Sequence, residues 1–282
     1  MLILLLFLVS LAAAATPGDV RDDAAVRQVA EGKRADANAA WWGFDPADST
    51  SALQAALDSH AHRLLIPYMG APWIVRPLTL RGDQEVDFEP GVVILAKRGE
   101  FQGPGDSLFT ATGVSNLTMR GYGATLRMWK KDYQKAPYKK AEWRMGIALR
   151  GCRNVRIEGL RVENTGGDGF YVDGGGGRLW SEAITIRDCV SDGNHRQGIS
   201  IISAVGLLVE NCTFSGTSGT APEAGIDLEP DSANQRLVNC VIRNCIFENN
   251  RGHAISVYLK QLDRGSQPVS IRFENCWSRM TR

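Results

Sequence analysis

Through the second half of the chain, apolar and polar residues alternate with a period of two in short runs, each closed by Asn, Gly, Asp or Ser. This pattern specifies short strands joined by tight turns rather than helices. The runs themselves recur. From Asn154 the segments NVRIEGLRVENTGGDGFYV, AITIRDCVSDGNHRQGISI, LLVENCTFSGTSGTAPEAGIDL, VIRNCIFENNRGHAISV and SIRFENCWS repeat one another. In register, Gly169, Gly198, Gly225 and Ala254 fall in one column at steps of 29, 27 and 29, and an earlier strand near Gly146 joins at a step of 23. Each repeat is one coil of a solenoid, two or three short strands long, stacked in parallel on its neighbours. Equivalent residues then lie about 4.8 Å apart along the stack.

A second column fixes the register independently. Cys189, Cys212, Cys245 and Cys276 recur in four consecutive coils, each directly after Asp188, Asn211, Asn244 or Asn275. Small polarizable thiols pack well in an inward column, and Asn and Asp tolerate the backbone conformation of a sharp bend. Parallel, in-register side chains rarely present disulfide geometry, so free buried thiols are expected, and no C-x2-C pair suggests zinc. Before the repeats, FDPADSTSALQAALDSH predicts a helix capped by Asp48, Ser49 or Thr50, with Leu53 and Leu57 on one apolar stripe beside Ala52 and Ala56. Such a helix would cover the open first coil. The solenoid is expected over 43–282, after a leader of unclear structure over 16–42. The chain stops mid-coil at SRMTR without an evident cap, which reads as a fragment of a longer protein.

The first fifteen residues, MLILLLFLVSLAAAA, are too short for a comfortable membrane span and end in small residues, so they read as a cleaved secretory signal. A secreted or periplasmic protein is expected, with no membrane association after cleavage. Composition adds exclusions: 44% hydrophobic and 22% charged residues rule out whole-chain disorder, and 32 basic against 31 acidic residues give no general case for nucleic acid. Charge arguments are therefore local.

In the strand column GDGFYV, RQGISI, EAGIDL, GHAISV, alternation turns Phe170, Ile199, Ile226 and Ile255 inward and Tyr171, Ser200, Asp227 and Ser256 outward. Asp173, Ile202, Glu229 and Tyr258 continue the outward set, and the preceding turns supply Asp168, His195, Arg196, Gln197, Glu223 and His253. One side of the solenoid is thus rich in titratable groups and suits a linear polymer. Carboxylates on neighbouring coils come within the range of the acid and base pairs that break glycosidic bonds, and mutual repulsion can raise one pKa into the acid role. Asp168, Asp227 and Glu229 are the candidate carboxylates, with Arg196 suited to bidentate carboxylate binding. The interruption RMWKKDYQKAPYKKAEWR, 127–144, carries seven basic residues against Asp132 and Glu142, with Trp129, Tyr133, Tyr138 and Trp143 interleaved. It is expected to clamp an anionic glycan through Lys139, Lys140 and Arg144, a solvated loop being the plainer alternative.

This organisation resembles the right-handed parallel β-helix of the pectin-lyase-like superfamily, which includes polygalacturonases, pectate lyases and alginate epimerases. The likeness runs from about Gly43 to Arg282, and FDPADSTSALQAALDSH followed by LLIPYMGAPWIV looks like the superfamily's capping helix and first strand. The resemblance implies an all-β, single-stranded right-handed solenoid with an N-terminal capping helix and a substrate groove on the strand column above. Asn164, Thr165, Asp168 and Gly169 look like the N-T-D-G motif of polygalacturonases, with two inserted glycines. Gln197 stands where their double aspartate ends, Ala224 where their histidine falls, and His253 comes one coil late. Arg196, Gln197 and Gly198 occupy the place of the R-H-G segment of alginate epimerases, without its histidine.

The resulting expectation is hydrolysis of a polysaccharide, an acidic one, by Asp168 with Asp227 or Glu229, assisted by Arg196. Tyr171, His195, Gln197, Glu223, Lys139, Lys140, Arg144 and Tyr258 would bind substrate. Two alternatives remain: a uronate lyase or C5-epimerase, for which Ca2+ is a candidate cofactor, and a non-catalytic glycan-binding solenoid.

Overall fold

The computed structural model describes residues 20–279. The signal sequence expected at 1–15 lies outside the described residues. Three parallel sheets, of nine, eight and seven strands, run the length of the molecule, and the chain visits them in rotation. One complete coil comprises Arg153–Glu158 in the first sheet, Arg161–Glu163 in the second and Phe170–Asp173 in the third. The next coil adds Ser181–Arg187, Val190–Asp192 and Gln197–Ile201, each paired in parallel with its predecessor.

The register is the one the sequence columns specify: Phe170 pairs with Ile199, Ile199 with Ile226, and Ile226 with Ile255. The glycine column has a steric cause. A Cβ on Gly169 would lie 2.7 Å from the Gly198 carbonyl oxygen, and one on Gly198 would lie 2.4 Å from that of Gly225. Coil-on-coil stacking leaves no room there for a side chain.

Between the first and second sheets the corner is two residues long in five successive coils. Gly159 begins the first, and Asp188, Asn211, Asn244 and Asn275 begin the others, at φ between 50° and 71°. This is the left-handed region that Gly, Asn and Asp tolerate best. The next residue turns inward, placing Leu160 and the column Cys189, Cys212, Cys245 and Cys276 in the stack. All six cysteines are free, five of them buried. The Asn side chains lie outside the corner, where the Asn211 amide donates to Asp188 at 3.2 Å. The core between the sheets is mostly aliphatic, with buried rings at intervals, among them Phe214 and Phe247 stacked 5.5 Å apart.

The N-terminal boundary differs from the sequence expectation. Asp36–Asn38 already pairs with Arg63–Ile66, so the first sheet begins inside the presumed leader. This strand is too short and polar for a periodicity argument to find. A helix, α1 (Asp23–Ala30), precedes it. The second helix, α2 (Thr50–Leu57), buries Leu53, Ala56 and Leu57. Its Gln54 side chain accepts from the Thr79 amide at 2.9 Å and donates to the Thr79 carbonyl at 3.1 Å, occupying the free edge of Leu78–Thr79 as another strand would. Among the described residues, no helix is long and apolar enough to cross a membrane.

Candidate active site

The third sheet carries the candidate site. Tyr171, Ser200, Asp227 and Ser256 stand in one outward row, as alternation requires. That face is not open, however: Tyr171, Ser200 and Asp227 are at most 8% exposed. The turns entering this sheet and the loops leaving it fold over its outer face. Met145, Ala148, Tyr171 and Ile202 form a small apolar cluster there, separate from the main core. Alternation predicts direction, not what covers the side chain afterwards.

Four of the predicted residues converge. Arg196 lies in the turn before Gln197–Ile201, with Nη1 3.8 Å from Asp168 Oδ2 and Nη2 3.5 Å from Glu229 Oε2. Asp168 ends the turn one coil below, and its carboxyl is fully enclosed. Glu229 follows Ala224–Leu228 one coil above and is the most exposed of the three carboxylates. Asp227, two residues earlier, accepts from Gln197 Nε2 at 2.9 Å.

Both oxygens of Asp168, Asp227 Oδ1 and the Ser200 hydroxyl are buried and make no well-formed hydrogen bond, although Ser200 lies near enough to Asp168, and Ser256 to Asp227, to favour the ionised carboxylates. Native proteins rarely leave such groups unpaired. Burial, opposed by the nearby Arg196 charge, pushes the Asp168 carboxyl up to about 7, with the Asp227 charge adding to the rise. Asp227 and Glu229 are also raised, each chiefly by burial; the Asp227 charge adds to the rise at Glu229, and the nearby Asp231 charge contributes to both. Like charges in one partly dry site cannot all ionise together.

The remaining predicted residues divide. Gln197 is buried, and its Oε1 accepts from the Ala224 amide at 2.9 Å while its Nε2 holds Asp227, so it orients the carboxylate instead of meeting substrate. Arg144 requires a firmer correction. It is fully buried, donating from Nε to the Phe101 carbonyl and from Nη2 to the Lys139 carbonyl, with its guanidinium against the Tyr133 and Tyr138 rings. A residue so enclosed cannot clamp a glycan; it fastens the basic loop down. Tyr171 donates to Asp173 at 2.9 Å beneath the Arg150 guanidinium, and Glu223 accepts from the Gly219 amide and pairs with Arg251. His195 is buried with Nε2 2.9 Å from the Thr220 hydroxyl, and burial lowers its pKa. Lys139, Lys140 and Tyr258 are exposed.

Much of segment 127–144 is architecture. Tyr133 is fully buried, Trp129 donates to the Ala96 carbonyl beneath the Arg98 guanidinium, and Arg127 pairs with Glu163. The loop presses on the Asp168 turn: a Cβ on Gly167 would come within 2.6 Å of the Glu142 carbonyl, which explains the glycines inserted after Thr165.

The sequence reading missed three contributors. Ser200 carried no motif, although the alternation placed it on this face. Lys130 reaches upward to the Asn194 carbonyl two coils away and to the Ser218 hydroxyl three coils away, both at 3.0 Å. Gln235, in the loop after Ala224–Leu228, folds back to donate to Asp173 at 3.0 Å. No local pattern encodes contacts of that range. Among the described residues, no group of three or more His, Cys, Asp or Glu side chains is arranged to hold a metal ion.

The comparisons with known proteins agree with this architecture. A family model described as "Right handed beta helix region" matches residues 139–277. Two uncharacterized proteins of Bacillus subtilis (strain 168) are similar in sequence: the SPbeta prophage-derived YorA, 26% identical over 73% of this chain and 36% of its own length, and YclG, 32% identical over 54% and 28%. The chain thus spans about a third of the length of these curated relatives. Among solved structures, a family 28 exopolygalacturonase of Yersinia enterocolitica superposes with a TM-score of 0.61 at 15% identity, over 87% of this chain and 53% of that one. A capsular polysaccharide depolymerase, the tailspike gp49 of Acinetobacter baumannii bacteriophage Fri1, gives 0.59 at 15% identity, over 88% and 48%. With three parallel sheets visited in rotation, this chain folds as a right-handed parallel β-helix.

Proposed function

We propose that this β-helix hydrolyses glycosidic bonds of a polysaccharide at the outer face of its third sheet. The observation that carries the reading is the cluster of Asp168, Arg196, Asp227 and Glu229, drawn from three successive coils, with three carboxylate oxygens buried and lacking a well-formed hydrogen bond. Unpaired buried carboxyl groups cost stability, and a protein retains them where chemistry uses them. The solved neighbours named above, an exopolygalacturonase and a polysaccharide depolymerase, support the substrate class.

In this reading Glu229, raised and the most accessible, carries the proton to the leaving oxygen. Asp227, 1% exposed and held by the Gln197 amide that favours its ionised form, acts through a water rather than by direct attack on the sugar. Arg196 balances the charge. Asp168, sealed beneath Arg196, is a positioning residue. The secreted address belongs to the same proposal.

One observation favours uronate elimination as a second reading: His195, kept neutral by burial, has an unpartnered Nδ1 and could act as the base. Incubating the protein with a panel of anionic and neutral glycans, with and without Ca2+, separates the two. New reducing ends alone indicate hydrolysis, and reducing ends accompanied by ultraviolet absorbance of a conjugated double bond indicate elimination. Asp227→Asn and Glu229→Gln should each lower the hydrolytic rate about a hundredfold or more. Wild-type rates in both variants would remove these residues from the mechanism.

A further inference from the structure

Beside the carboxylate cluster lies a pocket of about 410 Å³ lined by Lys130, Lys131, Lys140, His195, Ser218 and Thr220, together with Gln134 and Gly219. Three lysines and no carboxylate line it. Lys130 is held in place by the Asn194 carbonyl and the Ser218 hydroxyl, which fixes its ammonium at the wall and leaves a third N–H unassigned. Burial lowers its pKa, opposed by the charges of Glu223 and Asp192. His195 forms another wall, with Gly219 packed so close that a Cβ there would meet Nδ1 at 2.0 Å. The pocket is tied to the reacting groups through the chain itself. His195 precedes Arg196, and both backbone amides donate to the Gly167 carbonyl, at 3.0 and 3.1 Å, next to Asp168.

We infer that this pocket is a subsite for the acidic substituent, carboxylate or sulfate, of a sugar residue neighbouring the cleaved bond. The inference rests on the hydrolytic reading above and deepens it by naming the substrate class. An anion there meets a fixed ammonium at its side, two mobile ammoniums at the rim, and the Ser218 and Thr220 hydroxyls. Exposed charges elsewhere do not offer this combination. Lys131 and Lys140 form no salt bridge among the described residues, so their charge is available at the rim.

The test compares each charged glycan with its own neutral form: polygalacturonate with its carboxyl-reduced derivative, and iota-carrageenan with its desulfated derivative. Wild-type protein and the double variant Lys131→Gln/Lys140→Gln are assayed for reducing ends and, separately, for binding by affinity electrophoresis. The two lysines are exposed, so the variant should fold, and circular dichroism checks that it does. We expect wild type to prefer one charged form, with the variant raising KM on that glycan roughly tenfold while kcat changes little. The preference should also weaken as salt is added. The pair of derivatives that shows it distinguishes carboxylate from sulfate. If cleavage occurs but charged and neutral forms are processed alike, or the variant retains the wild-type preference, the subsite is refuted and the hydrolytic reading stands. If no glycan is cleaved but a charged form is bound through these lysines, the subsite holds and the hydrolytic reading falls. Absence of both cleavage and binding overturns the two together.

Discussion

Replacing Asp168 with Asn should make the protein less sensitive to alkaline pH. The folded protein holds this carboxyl up to about 7, against 3.8 for the free group, because burial disfavours its charge more than Arg196 restores it. Native Asp168 therefore binds its proton more tightly than the unfolded chain does. Its contribution to stability is fully present below about 3.8 and is lost as pH rises towards 7. Each unit is worth about 1.4 kcal/mol, so the total loss is about 4 kcal/mol. Asn has the same shape and no proton to lose, and the other carboxylates titrate in both proteins. Urea unfolding followed by tryptophan fluorescence at several pH values from 4 to 8 gives the difference directly. Wild type should lose about 4 kcal/mol relative to Asp168→Asn across that range, whichever protein is more stable at its start. A difference that stays within about 1 kcal/mol would show that the carboxyl is not held as described, and the charge balance proposed for the site would fail with it.

Two further outcomes follow from the same geometry. Arg144→Ala should destabilise the fold by about 3 kcal/mol, since it leaves the buried Phe101 carbonyl, the part-buried Lys139 carbonyl and two tyrosine faces without their partner, and should expose segment 127–144 to proteolysis. Weaker glycan affinity with stability intact would instead return Arg144 to the binding role that its sequence position suggested. With the reductant removed, the folded protein should titrate slowly with a thiol reagent at its five buried cysteines, and all six thiols should appear on unfolding in denaturant. Burial raises Cys240 to about 12 and shifts Cys212 and Cys276 upward as well. Fewer than six thiols in denaturant would mean that a bridge has formed.

The parts of this molecule that were legible in the sequence are those set by stacking. Equivalent positions face identical surroundings in successive coils, so Gly198, Asn211 and Cys212 each repeat a constraint that composition can express. The outward direction of Asp227 was readable for the same reason. Its burial was not, because that depends on turns and loops of unequal length folding over the sheet. Arg144 shows the limit clearly: within RMWKKDYQKAPYKKAEWR it looks like one more surface cation, and only the rings of Tyr133 and Tyr138 and the carbonyls of Phe101 and Lys139 reveal its role. The strand Asp36–Asn38 escaped notice because three residues without alternation carry no period.

The two-residue corner between the first and second sheets also bears on how such a chain can change. From Gly159 onward that corner keeps its length in every described coil, whereas the connections into and out of the third sheet range from two residues, as at Ser203 between Gln197–Ile201 and Ala204–Glu210, to nineteen between Thr125–Arg127 and Ile147–Arg150. Insertions are therefore absorbed at the two rims of one face, while the opposite corner acts as a metronome that returns the chain to register after each excursion. A gene for this protein can gain or lose residues beside Asp227 and Arg196 without retiming the stack. Substrate preference and solenoid integrity are in this way open to separate mutation.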